Sequence, residues 1–368
     1  MNFLIIISMI FLIIIFCIKF FDGKGIPIFL YHQVNRDSKV TPELFEEHLK
    51  ILKEKNMELI KISHLLNKTK KQIKNSAMIT LDDGYYDNYK YVFPLLKKYN
   101  MKATIFLNTF YIKERREETP DILDSREANY LAAMEFLENG NGTSYQYMTW
   151  EEIKEMNESG LVDFQAHSHQ HKAIFENFIL LDIFKKDERE SSDVYSYGKI
   201  KEGYPKFRKR GEYSIQGIEI KNEFFELFRN FYLKTLKNKN KKTLLKEGQN
   251  FIDENIEKYI KRENDEDFKL RIKEEYLQNK NLIEEKLGNK VNAFCWPWGH
   301  RGKKAIEILK ECGVEGFVST KKGTNYSTKV NLEFIKRIEL RDFSTKKFKI
   351  NLFIGRNYIL GKIYQLFS

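Results

Sequence analysis

Several residue classes are scarce in this chain, and each scarcity closes a door. Three cysteines, Cys17, Cys295 and Cys312, are too few for a disulfide framework, and they lack the C-x-x-C spacing of a thiolate zinc site. Only 6 prolines and 19 glycines exclude a collagen-like or proline-rich chain. No helix-turn-helix, zinc-finger or RNA-binding signature focuses the net charge of +11, so no nucleic-acid partner is expected. What is present is apolar: 42% hydrophobic residues rule out a disordered polyelectrolyte and can fill a large core. A length of 368 residues suits two domains or one α/β barrel with insertions.

The two ends differ from the middle. From Phe3 to Ile18 the sequence is almost wholly apolar, and if Lys19 snorkels the run continues through Phe20 and Phe21. Residues 1–21 are therefore expected to form a transmembrane anchor. A cleaved signal peptide is the alternative, although no Lys or Arg precedes the run and no A-x-A-like site follows it. Lys19 and Lys24, after the run, argue for a cytoplasmic body by the positive-inside rule. Residues 346–368 mix Lys346, Lys347, Lys349, Arg356 and Lys362 with apolar residues and contain no acidic one. That pattern suits the surface of an anionic membrane, and equally a final helix packed on the core.

Between the ends, short β-rich runs occur at Ile26 to His32, Met78 to Leu81, Thr104 to Leu107, Leu161 to Ala166, Ala293 to Trp296, Phe317 to Ser319 and Phe334 to Ile338. Helical patterns separate most of them. One opens with Thr41 as N-cap and Pro42 at the first helical position; another has Thr149 and Glu152 as a capping box. Seven strands alternating with helices predict an α/β fold, a distorted (β/α)7-type barrel over residues 22–345. Ligand chemistry is then expected at the carboxyl ends of the strands. Residues 172–290 break the rhythm and read as a long, charged helical insertion, with amphipathic helices around Leu244 to Ile260 and Leu270 to Leu287.

Two motifs carry chemistry. The strand Met78 to Leu81 runs into Asp82-Asp83-Gly84, two carboxylates where a buried strand emerges. Such a pair is costly unless something positive is bound. The strand Leu161 to Ala166 runs into His167-Ser168-His169-Gln170-His171, whose outer histidines are four apart and can aim at one ion if the segment turns like a helix. Two His and one carboxylate leave open positions on a metal, as a hydrolytic site requires, while the second Asp acts on water. Taken singly, Asp-Asp-Gly is also a turn and the histidines also a polar surface loop.

Together these motifs resemble the polysaccharide deacetylases of carbohydrate esterase family 4. Thr80-Leu81-Asp82-Asp83-Gly84 is similar to that family's Thr-Phe-Asp-Asp-Gly, and His167 to His171 matches its His-Ser/Thr-x-x-His without a gap. The resemblance, which spans roughly Ile26 to Leu340, implies Asp82 as general base and Asp83, His167 and His171 as ligands of a divalent metal, usually Zn2+. His169 receives no role, and a solvent-facing or outer position is expected for it. Phe29 to Val34, followed by Thr41-Pro42-Glu43-Leu44-Phe45, resembles the opening of the permuted subgroup acting on poly-N-acetylglucosamine and related exopolysaccharides, which implies His32 as general acid. Phe294-Cys295-Trp296-Pro297-Trp298-Gly299 resembles the subgroup's aromatic-Pro-aromatic-Gly motif, which implies that the Trp298 N–H holds the oxyanion. Trp296 and Trp298 are also candidates to stack on a sugar. The Arg that orients the base in many members is absent before this motif; Arg337 is the candidate replacement. Arg208 and Arg210 are candidates for an anionic substrate group, or a solvated basic loop.

The expected function is hydrolysis of N-acetyl groups from amino sugars of a cell-surface or exopolysaccharide glycan. The partners would be an N-acetylated glycan and the membrane, with the catalytic domain outside the cytoplasm by family analogy. A catalytically inactive membrane-tethered glycan-binding protein on the same fold, a deacetylase of a lipid-linked sugar precursor, and a magnesium phosphohydrolase are the rival readings.

Overall fold

The computed structural model describes residues 7–9, 16, 19–67, 73, 75–140, 142–186, 188, 191–339 and 344–366. Most of the expected anchor, and Cys17 with it, lies outside the described residues. Among the described residues no helix is long and apolar enough to cross a membrane.

Seven parallel strands close on themselves. They are β1 (Ile28–Tyr31), β2 (Ser76–Asp83), β3 (Ala103–Asn108), β4 (Val162–Ser168), β5 (Ala293–Cys295), β6 (Gly316–Lys322) and β7 (Ile335–Glu339). Each pairs with the next, and β7 returns to β1, which pairs with β2. The ring is uneven. β4 and β5 share a single pair, Ala166 with Phe294, and the β6–β7 register slips between Val318 and Lys322. The expected run from Ile26 splits at Pro27: Gly25–Ile26 pairs antiparallel with Asn325–Tyr326 before β1 enters the barrel.

Every residue of β2 and β4 is buried, which explains their near-continuous apolar reading: helices cover the outside and side chains fill the inside. Helix α1 (Pro42–Glu54) begins as the sequence predicts, with Thr41 Oγ1 accepting the Leu44 N–H, and buries Phe45, Leu49 and Leu52. Helix α2 (Trp150–Glu158) starts on the complete capping box of Thr149 and Glu152.

The insertion departs from expectation twice. The last helix, α3 (Asp265–Leu287), is a barrel helix, since Phe268, Ile272, Tyr276 and Ile283 join the barrel core. The segment with a core of its own, built on Phe224, Phe225, Phe228 and Ile252, lies between Phe175 and Ile260. It is also less helical than predicted. Ala173–Phe175, Lys209–Gly211, Ile218–Ile220 and Ile260–Arg262 form a four-stranded antiparallel sheet. These strands are three residues each, too short for alternation to register in the sequence.

The C-terminal tail forms α4 (Thr345–Arg356) and α5 (Tyr358–Leu366). Helix α4 is packed on the barrel through Phe348, whose ring lies 4.6 Å from that of Phe29 and stacks on His48.

Candidate active site

The first observation concerns two neighbours in sequence. Side chains alternate along a strand, so Asp82 and Asp83 at the end of β2 would ordinarily point to opposite faces. Asp83 instead has φ +77° and Gly84 has φ +83°. This left-handed corner, worth about 1–3 kcal/mol of strain at a non-glycine residue, rolls the Asp83 carboxylate over the barrel rim. A side chain at Gly84 would also collide with Leu107.

At the end of β4 the histidine segment does not turn as a helix. His167 and Ser168 remain in the strand, and the chain doubles back so that His171 sits at φ +56°. Ser168 Oγ accepts the His171 N–H at 2.7 Å. Residues distant in sequence fasten the rest of the turn. Glu275 on α3 accepts the Gln170 N–H at 2.6 Å, Glu212 accepts the Lys172 N–H at 3.0 Å, and Asn279 Nδ2 donates to the Ser168 carbonyl at 2.6 Å. No sequence signal marks these three residues, because they lie 40 to 111 positions from the groups they hold. His169 is buried rather than solvent-facing; it bonds Thr109 Oγ1 at 2.9 Å and meets the Phe110 ring edge-on.

The left-handed corners bring three donors together. Asp83 Oδ1 lies 3.4 Å from His167 Nε2 and 3.7 Å from His171 Nε2. A tetrahedral zinc ion with bonds of about 2.1 Å separates its donors by about 3.4 Å, so these residues fit such a cation. The His167 Nδ1–H donates to the Cys295 carbonyl at 2.8 Å, which turns the Nε2 lone pair toward Asp83. Asn108 Nδ2 donates to Asp83 Oδ1 at 2.9 Å. Burial opposes ionisation of Asp83, but the His167 hydrogen bond and the nearby imidazoles hold it well below the usual carboxylate range. Burial lowers His171 to about 4, leaving it neutral and able to donate a lone pair. Burial also opposes the charge on His167, yet Cys295 and Asp83 hold its proton well above the ordinary imidazole range, so a cation would have to displace it.

A second cluster, Asp82, His167 and Cys295, is equally compact, but a cation there would face Arg337. The Arg337 guanidinium, fully buried, donates from Nη1 and Nη2 to the two oxygens of Asp82 at 2.7 and 2.8 Å, and Nη2 lies 3.0 Å from Cys295 Sγ. Burial also keeps the Cys295 thiol protonated by raising its pKa. The donor set is therefore Asp83, His167 and His171. Asp82 is buried as well, and the Arg337 charge and hydrogen bonds outweigh that penalty and lower its pKa. Arg337, the candidate replacement for the arginine absent before the Phe294–Gly299 motif, thus pairs with Asp82.

His32 follows β1 directly, is exposed, and lies near Asp82, Asp83 and His171. Its loop is pinned by residues the sequence reading passed over: Asn88 Nδ2 donates to the His32 carbonyl at 2.9 Å, and Asp87 accepts from Val34 N–H and Asn35 Nδ2. Trp298 has φ +60°, is 41% exposed, and sets its ring 4.7 Å from that of His171. Gly211 of the insertion lies so near that a Cβ would meet the Pro297 carbonyl at 2.9 Å, so the insertion supports the Trp298 loop directly. Trp296 is core, 1% exposed and stacked on Phe317, not a sugar platform. Arg208 and Arg210 face Glu176 at the surface, at 3.9 and 3.7 Å, the solvated alternative.

Asp83, Asn108, Tyr111, Asn129, Tyr147, His171, Tyr195 and Trp298 line the cleft beside the donors. The family model for polysaccharide deacetylase matches residues 69–197. YxkH of Bacillus subtilis, whose name assigns it to the polysaccharide deacetylases, is 39% identical over 87 residues, 22% of this chain and 31% of that protein. The poly-β-1,6-N-acetyl-D-glucosamine N-deacetylase of Staphylococcus aureus (strain N315) is 26% identical over 136 residues, 36% of this chain and 38% of the relative. The chain thus spans about a third of the length of the curated relatives it matches. The structure of the BpsB deacetylase domain from Bordetella bronchiseptica superposes with a TM-score of 0.54 over 86% of this chain and 96% of that one, at 16% identity, a likeness of fold. Asp82, Asp83, His167 and His171 all lie inside the stretch that the polysaccharide deacetylase model matches.

Proposed function

We propose that this chain is a metal-dependent hydrolase that removes N-acetyl groups from the amino sugars of a cell-surface or exopolysaccharide glycan, with zinc as its cation. The observation that carries the reading is the meeting of Asp83, His167 and His171 beside an Asp82 paired to Arg337. Two imidazoles and a carboxylate suit zinc with open positions, whereas a magnesium phosphohydrolase would call for oxygen ligands. The substrate class is taken from the name of the Staphylococcus relative. A glycan-binding protein that had lost catalysis would lack a donor or the base, and both are here. The apolar run from Phe3 to Ile18 supports a single-pass membrane protein; the placing of its catalytic domain outside the cytoplasm rests on family analogy, against Lys19 and Lys24 after the run.

Bound by the three donors, a divalent cation would supply Lewis acidity, polarising an acetyl carbonyl and lowering the pKa of water from 15.7 toward about 7. Asp82 takes the proton of the attacking water. Its pairing with Arg337 keeps it ionised; Oδ2 accepts from Arg337 Nη2 and the Cys295 thiol, and Oδ1, bonded to Arg337 Nη1, retains a lone pair for that proton. The Trp298 N–H, on a corner braced by Gly211, receives the developing oxyanion. His32 gives a proton to the departing amine as the C–N bond breaks, so the products are acetate and a free amino sugar.

Acetate release from N-acetylated glycans, measured with and without a chelator, tests this reading. Asp82→Asn should abolish release while the protein keeps its metal, and His167→Ala should lose both. Full activity in Asp82→Asn would overturn the assignment.

A further inference from the structure

The end of the barrel opposite the catalytic cleft carries a surface that core packing does not explain. The chain enters the barrel there. Gly25 abuts the Gly355 carbonyl and Arg356 at the end of α4, and Arg356 pairs with Asp22 at 3.5 Å. Lys24 Nζ lies 3.4 Å over the ring of Phe20, and Phe20 is itself 53% exposed. Helix α5 completes this end, with Tyr358 packed on Tyr326 and Gln365 bonded to Lys336.

Helices α4 and α5 each have two working faces. Their inner faces, with Phe348, Leu352 and Gly361, pack on the barrel. Their outer faces carry Lys349, Ile350 and Phe353 on α4 and Lys362, Ile363 and Leu366 on α5. Phe353 is 55% exposed and Leu366 81%. Large apolar side chains alternating with lysines at helical spacing, with no acidic residue from 344 onward, match what lies at the headgroup level of an anionic bilayer. The strongly apolar run from Phe3 to Ile18 leads into the same end through Phe20 and Lys24.

We propose that this end of the barrel docks on an anionic lipid bilayer, with the C-terminal half of α4 and with α5 lying in the headgroup layer and the catalytic cleft opening away from it. β2 runs eight residues toward Asp83, so the cleft stands on the order of 25 Å above the docked face. Resting on the deacetylase reading, this geometry selects a glycan polymer approached from the aqueous side over an amino sugar held at the bilayer surface by a lipid.

The test uses the full chain in nanodiscs of phosphatidylcholine with or without phosphatidylglycerol, each containing doxyl-labelled lipid that quenches tryptophan near the headgroups. Trp150 and Trp296 are buried, so Trp298 in the cleft is the exposed native reporter. Phe353→Trp should add a quenched component in the phosphatidylglycerol discs, while Trp298 stays unquenched. Adding Lys349→Glu and Lys362→Glu should reduce that quenching several-fold. Absence of the added quenching, its equal strength in neutral discs, quenching of the native tryptophans, or a concentration-dependent shift of Phe353→Trp emission without lipid, which would mean self-association, would each overturn the proposal. Acetate release from a soluble glycan by the same variants reports on the deacetylase reading separately, because none of the fluorescence signals requires turnover.

Discussion

Arg337 and Asp82, 255 residues apart in the chain, meet through two parallel hydrogen bonds with the guanidinium fully buried. Removing two charges from water is expensive, and only this bidentate geometry, with Arg337 Nε also donating to the Ser319 carbonyl, offsets the loss. The pair fixes both the orientation and the ionisation of the proposed base. Each of the following predictions tests one such dependence.

Arg337→Met should lower kcat/KM by about 10²–10³, the range of a misplaced general base. An opposite charge lowers a carboxylic acid's pKa, so its removal raises that of Asp82, and the acid limb of the pH profile should move to higher pH. An unchanged limb would mean that Arg337 serves packing alone.

Ser168→Ala removes the acceptor of the His171 N–H without touching a donor atom. Loss of such a support typically costs 10–100-fold in metal affinity, and competition with a chromogenic chelator should show a loss of that order. Wild-type affinity in the variant would argue that the turn holds itself.

His32→Gln should slow acetate release from a glycan by about 10²–10⁴, since an amine cannot leave without a proton. An aryl acetate, whose phenolate leaves unaided, should lose far less. Equal losses on both substrates would remove His32 from the role of acid.

Glu212 and Glu275 lie together beneath the histidine turn. Burial first, then the Glu275 charge, raise Glu212 from 4.5 to about 8 against the pull of Arg271 and Lys172. Between those values the folded chain holds a proton that the unfolded chain has released, so stability should fall as pH rises from about 5 to 8. Glu212→Gln keeps an oxygen for the Lys172 N–H and removes the titration. Its unfolding temperature should fall less over that window than the wild type's, and parallel curves would exclude the linkage.

Much of this molecule is written locally. Strand runs, the Thr41 cap, the Thr149 capping box, and the two motifs at strand ends depend on contacts within a few residues, and so they are legible in the sequence. From them follow a barrel, the end of it that bears the site, and the four groups Asp82, Asp83, His167 and His171.

Tertiary structure decided the rest. Barrel closure brings Arg337 to Asp82, although nothing near either residue names the other. The left-handed corners at Asp83 and His171 defeat the period-2 and helical rules by which their directions would be read, and partners such as Ser168, Glu275 and Glu212 hold the histidine turn in place. Helix α3 has the charge pattern of the insertion yet packs on the barrel, because amphipathic spacing states that a helix buries one face and leaves open which core it buries against. Sequence periodicity encodes the direction of a side chain relative to its own element; the meeting of two elements depends on register and closure summed over the whole ring, and only the folded chain fixes that.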